Sequence, residues 1–215
     1  MPAEEEQRKQ REHAELLDAL GGPHGVADSS IPSLAFVVAY TAGGNDLGLA
    51  IWIALGVAAL VAVVRLVRRD PLQYAVVGVA GVALAAFVAD RTGKAEDFFV
   101  PGLLLNAGYA LGYLVSIGVR RPLIGLIVGP LTGEGLEWRK DPVKIAAYSR
   151  ASWIWVGVFS LRLAVQLPLY FAGALLALGI AKTAMGIPLF LIAIYLTYRV
   201  LRAEGLATVP RAAAG

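Results

Sequence analysis

Apolar residues collect into six long stretches, near residues 26–44, 47–64, 71–89, 98–119, 152–173 and 183–201, divided by short polar or glycine-rich connections. A helix rises ~1.5 Å per residue and the hydrocarbon layer of a bilayer is ~30 Å deep, so about 20 apolar residues cross it once. The pattern predicts an all-α, polytopic transmembrane bundle of six spans over residues 26–202, with a polar tail at 1–25 and a short tail at 203–215. Residues 4–20 read as a short polar helix ended by Gly21, Gly22 and Pro23. The first span is the weakest of the six. Its clean apolar part runs only from Ile31 to Ala42, with Ser30 placed to cap a helix and Pro32 in its first turn.

The segment 122–131 has ten residues, too few to cross. It is either re-entrant or an interfacial helix on the cytoplasmic side, and the interfacial reading is preferred. Counting it as a span would carry Arg139, Lys140 and Lys144 to the opposite face.

The distribution of positive charge supports this arrangement. The N-terminal tail, the connections after spans two and four, and the C-terminal tail together hold fifteen of the 19 Lys and Arg residues. The other face keeps Arg91, Lys94 and Lys182, the last in a connection between spans five and six, and Arg162 stands inside span five. Positive residues concentrate on the cytoplasmic side, so both termini are placed inside. The Gly43–Asp46 turn carries no Lys or Arg and reads as an outer hairpin. Asp70–Pro71 and Asp141–Pro142 each pair a capping side chain with proline at the first helical position. Trp153 and Trp155 sit where an aromatic belt is expected. RRDPL after span two is echoed by RRPL after span four.

Composition narrows the chemistry. The 215 residues are 58% hydrophobic and include no cysteine, which removes disulfides, thiolate metal sites and cysteine nucleophiles. His13 and His24 precede the first span, so no imidazole is available in the membrane for haem or zinc. Net charge is +3, yet the arginines flank apolar stretches, which fits lipid headgroups and argues against nucleic acid. Arg65, Arg68, Arg69, Arg120 and Arg121 are the candidate headgroup ligands. Asp46 and Asp90 fall at outer ends, and Asp28 and Asp70 at inner ends, so no carboxylate is expected in the middle of a span and proton-coupled transport is disfavoured. Glu134, Glu137, Arg139 and Asp141 read as a solvated loop. No catalytic motif, metal site or cofactor is expected, and the chain is not expected to be an enzyme.

Arg162 is the sharpest candidate. It lies ten positions after Ser152 and eleven before Gly173, near mid-bilayer, where an arginine costs about 2.5–3.5 kcal/mol to insert. Trp155, Phe159, Arg162, Gln166 and Tyr170 recur at helical spacing and form one stripe. Asn106, Tyr109, Tyr113 and Ser116 form another on span four. Lipid offers neither stripe a hydrogen-bond partner, so the two should face each other. Either they build an inward pocket for an anionic ligand or headgroup, or amides and carbonyls near Pro168 satisfy the arginine. Gly108 and Gly112 would allow another helix to approach closely.

The runs RRPLIGLIVGPLTG, SLRLAVQLPLYFAG and GIPLFLIAIYLTYRVLR resemble an actinobacterial membrane family of unknown function over about residues 29–202. More distantly the chain is similar to bacterial inner-membrane proteins of the intracellular septation type. That resemblance implies an association with envelope synthesis or division. High Ala, Gly, Val and Arg content points to a bacterial plasma membrane. Two functions follow as expectations: binding or transport of an anionic or amphipathic small molecule or lipid at Arg162, or a scaffold acting by helix contacts with other copies or membrane proteins.

Overall fold

A computed structural model describes residues 22–69 and 72–206, without the side chains of 22–30, 72 and 74. The expected helix at 4–20, the Asp70–Pro71 cap and the tail beyond residue 206 lie outside the described residues. Every regular element described is helical: α1 (Gly22–Ala42), α2 (Leu47–Val67), α3 (Leu72–Thr92), a 3-10 helix (Ala95–Phe99), α4 (Val100–Gly118), α5 (Leu123–Leu131), a second 3-10 helix (Glu137–Lys140), α6 (Pro142–Phe171), α7 (Leu175–Ala184) and α8 (Ile187–Ala203).

Five segments are long and apolar enough to cross a membrane: Leu47–Val67, Ala75–Thr92, Ala95–Gly118, Pro142–Phe171 and Leu175–Ala203. Ile31–Ala42 is a shorter apolar helix. By length and composition the chain is a multi-pass membrane protein. At nine residues, α5 is too short to span, as its sequence implied.

The elements form two compact units. The first comprises the chain up to Pro101 together with Ala172–Ile187. In it α2 buries Ala50, Ala54 and Ala58, one small residue per turn, and α3 buries Ala75, Ala85, Ala86 and Ala89. Trp52, Leu60, Val63 and Val67 point outward instead. This is the logic of a membrane fold, because lipid tails are as apolar as leucine and what draws helices together is close backbone approach. Asp46 caps α2 by accepting from the Leu49 amide at 3.0 Å. The preceding turn places Gly44 at φ +72° and Asn45 at φ +66°, both in the left-handed region.

The second unit comprises Gly102–Phe171 and the chain from Pro188 onward. Asp141 starts α6 as expected, accepting from the Val143 amide at 2.8 Å. Pro122, which begins α5, offers no side-chain cap, and two serines from other helices supply acceptors. Ser116 Oγ accepts from the Leu123 amide at 3.2 Å and buried Ser152 Oγ from the Ile124 amide at 3.4 Å. These satisfy first-turn donors that no helix can satisfy internally. Ser152→Ala should leave the Ile124 amide stranded and cost about 1–3 kcal/mol in detergent unfolding, whereas Ser160→Ala, at an exposed position of the same helix, should be near neutral.

Four expectations need correction. α1 starts at Gly22, so Ser30 does not cap it and Pro32 lies inside it; membrane helices hold interior prolines because neighbouring groups satisfy the freed backbone. Lys182 is not in a connection. The chain turns within three residues at Gly173, φ +65°, and is helical again from Leu175, so Lys182 lies in α7. The last apolar segment is interrupted between Ala184 and Ile187 rather than continuous over 183–201. Finally, Trp155 does not join a belt: its side chain turns into the second unit, whereas Trp153 is exposed.

Candidate functional site

The stripes of α4 and α6 meet, and they meet through aromatic rings. Tyr113 stacks on Trp155 at 6.0 Å with planes 8° apart, and Phe159 lies 6.0 Å from Tyr113 and 5.2 Å from Tyr109. α8 closes the third side, with Phe190 edge-on to Trp155 at 5.3 Å and Thr197 Oγ1 accepting from Trp155 Nε1 at 3.1 Å. An indole among other rings needs a partner for its N–H, and Thr197 provides it.

Further along α6, Gln166 is 4% exposed and Arg162 is half-buried and engaged by the protein. Leu161 and Val165 of the same helix are exposed. Tyr170 is half-buried and packs edge-on to Phe171 at 5.3 Å. The α4 residues divide differently. Tyr113 is buried, Tyr109 is more than half exposed, and Asn106 donates its amide to the carbonyl of Gly102 on its own helix at 3.0 Å. Ser116 serves the α5 cap. Of the expected site, Gln166 is buried and Arg162 half-buried, one turn apart on the helix that carries Trp155 and Phe159.

The candidate headgroup arginines sit at two turns. Arg65, Arg68 and Arg69 close α2, and Arg120 and Arg121 follow α4. Arg69 at φ +60° and Arg120 at φ +55° occupy the left-handed position that glycine usually takes at a helix end. Arg121 N donates to Ser116 O at 2.8 Å, the long closing bond of such an end. The RRDPL and RRPL echo is thus a repeated use of arginine where its backbone is disfavoured. Arg120→Gly should raise unfolding stability by up to about 1 kcal/mol while weakening binding to anionic vesicles, a combination that retention for headgroup contact requires.

Of the charged residues in the loop read as solvated, only Glu137 and Lys140 are exposed, paired at 2.7 Å; Glu134, Arg139 and Asp141 are half-buried, and Glu134 pairs with Lys144 at 2.6 Å. The glycine pair on α4 receives no close helix among the described residues. An added Cβ at Gly108 would meet nothing within 4 Å, and at Gly112 only Leu123 Cδ1, at 4.0 Å.

The first unit holds polar groups that sequence reasoning missed. Lys182 Nζ donates to Ser33 Oγ at 2.8 Å and lies 5.1 Å from the Phe99 ring centre. Asp97, two residues before Phe99, is 7% exposed and stands third in the segment Ala95–Gly118, at its end and not in its middle. The 3-10 helix brings it in: Phe98 stacks on Phe36 of α1 at 4.0 Å, and Ala95, Phe98 and Phe99 are buried with it. A usable signal was present, since an apolar segment carrying a charge shortly before a Val-Pro or Ile-Pro step occurs at both Asp97 and Lys182.

A family described as a protein of unknown function (DUF3159) matches residues 20–207. The chain belongs to that family. The match takes in every described helix, and with them Arg162, the two arginine turns and Lys182. No curated protein and no solved structure matches the chain.

Proposed function

We propose that this DUF3159 chain is a non-enzymatic bacterial plasma-membrane protein, six spans with both termini inside, that binds or moves an anionic or amphipathic small molecule or lipid at Arg162. The observation that carries the reading is Arg162 itself, half-buried and one turn before buried Gln166 on a 30-residue apolar helix. Intramembrane ionisable groups are costly and persist where a pathway or ligand uses them. A guanidinium matches phosphate or carboxylate with two parallel hydrogen bonds. The arginines at the two basic turns would hold the surrounding headgroups.

The test is Arg162→Gln, with Arg162→Lys beside it, in purified protein whose co-purifying lipids are measured by mass spectrometry. Arg162→Gln should fold and lose anionic lipid by about tenfold or more, the worth of a charged hydrogen bond. Arg162→Lys should fall between, keeping charge without the planar fork. Wild-type lipid content in folded Arg162→Gln would sink the reading. It would favour an envelope- or septation-associated scaffold, for which the uncovered Gly108 position among exposed Leu104, Leu111 and Val115 is the supporting feature.

A further inference from the structure

The loop that follows α5 commits its carboxylates elsewhere and leaves one guanidinium over. Glu134 accepts from Lys144 Nζ at 2.6 Å, Glu137 from Lys140 Nζ at 2.7 Å, and Asp141 from the Val143 and Lys144 amides. Arg139 stands among all three in sequence and pairs with no carboxylate among the described residues; its Nε is buried without an acceptor. What holds it is the Trp138 ring, whose centre lies 5.7 Å from the guanidinium carbon. That ring is fixed in turn, seated on α5 at Gly125 and Gly129 and edge-on to Tyr148. Packing, not an anion, orients the planar fork. The same short piece of chain presents an apolar surface. α5 carries no charged residue, buries Ile124, Gly125 and Gly129, and leaves Ile127 and Leu131 exposed one turn apart. The Gly135 amide donates to the Gly129 carbonyl at 3.0 Å, which folds the loop back onto α5. Exposed Leu136 then shares a 3-10 turn with Arg139, its carbonyl accepting from the Arg139 amide at 3.2 Å. Apolar surface therefore runs from α5 to the turn that carries the uncommitted charge.

We infer that α5 and its return loop form a binding site for one acidic phospholipid, separate from the Arg162 site and independent of it. An acyl chain lies along Ile127, Leu131 and Leu136, and the phosphate meets Arg139. Both halves of the surface are needed to choose this occupant. A soluble anion would leave the apolar face uncovered, and an uncharged lipid would leave the guanidinium unmatched. A phosphodiester offers two oxygens that a guanidinium fork grips with parallel hydrogen bonds, and it carries its own chains. Lys140 can turn to the same phosphate, since its pair with Glu137 is exposed at both ends and weakly held. A zwitterionic headgroup would bring an ammonium beside a fixed cation, so the site prefers a lipid of net negative charge.

The full chain reconstituted in vesicles tests this. There is no native cysteine, so Leu131→Cys carries a single bimane fluorophore, which lipids with brominated chains quench on contact. Brominated phosphatidylglycerol should be preferred over brominated phosphatidylcholine at this position by about tenfold or more, the worth of a hydrogen bond between charged groups. At Trp52→Cys, on the exposed side of α2, the two lipids should quench alike. Arg139→Gln should bring the preference at Leu131→Cys close to parity, and Arg162→Gln should leave it intact. A preference that survives Arg139→Gln overturns the inference, as does equal quenching by the two lipids in the otherwise unchanged chain, or quenching by neither. Loss of the preference in Arg162→Gln assigns the lipid to that site and overturns it too. Should Arg139→Gln fail to fold, salt takes its place: at ~1 M, where the screening length is ~3 Å, the preference should fall several-fold with Arg139 present. A preference indifferent to salt overturns the inference.

Discussion

Trp138→Ala should be the most destabilising single change in the second unit, costing about 3–5 kcal/mol. Its indole is 1% exposed and is the largest fully buried side chain in the described protein. It lies against α5 only because α5 presents glycines there. A Cβ at Gly125 would come within 2.8 Å of the ring atoms Cη2 and Cζ2 and 2.9 Å of Tyr148 Cδ2. One at Gly129 would stand 2.6 Å from Trp138 Cδ1 and collide with the carbonyl oxygen of Gly135. Tyr148 closes the other side edge-on at 5.3 Å. Gly125→Ala should therefore overpack by about 1–3 kcal/mol, and most of that should vanish in a Trp138→Ala background, because the clash is chiefly with the missing ring. Gly129→Ala should not be rescued, since its worst neighbour is backbone. Unfolding of the three single variants and of the two glycine variants in the Trp138→Ala background, in mild detergent, gives the coupling directly. Independent effects of Gly125→Ala and Trp138→Ala would mean that the indole does not seat on α5.

This seat shows what was and was not legible in the sequence. The oddity of 122–131 could be seen, because ten residues with two glycines and two prolines cannot be an ordinary span. What the glycines were for could not, because the ring they admit is nine residues further on, in a loop whose charges pointed to water. The long apolar helices were legible since hydropathy acts locally, and so was the Asp141 cap, since a capping side chain reaches only its own next turn. The facing of α4 and α6 was legible from spacing alone. That the contact would be aromatic, with Asn106 bonded to its own helix, depends on rotamers that spacing does not determine. Lys182 was misplaced because a polar Lys-Thr step looks like a connection, whereas Ser33, 149 residues away, makes it an interior group. Pairings of that range are invisible to any window along a chain.

Site-specific labelling should sort the connections into two sets without overlap. The native chain has no cysteine, so each introduced thiol reports alone. Cysteines at exposed Ala42, Thr92 and Ala172 should react with an impermeant maleimide added to intact cells, and cysteines at exposed Arg68, Lys140 and Arg202 only after permeabilisation. The expectation rests on the fifteen cationic residues that the six-span arrangement would gather on one face, each of which resists translocation, and on α5 being about 13 Å long against a ~30 Å hydrocarbon layer. Since α5 cannot carry the chain across, Arg121 before it and Lys140 after it share a side. The exposed Lys140–Glu137 pair then faces the same solution as the arginine turns. The α1 segment is the open variable, because Ile31–Ala42 alone is short. Because α2 crosses, Ala42 stays opposite Arg68 in either case, and a cysteine at Gln7 decides α1: it labels only after permeabilisation if α1 crosses, and in intact cells if α1 lies in the interface. Labelling of Lys140 in intact cells together with protection of Arg68 would make 122–131 a crossing element and break the six-span arrangement.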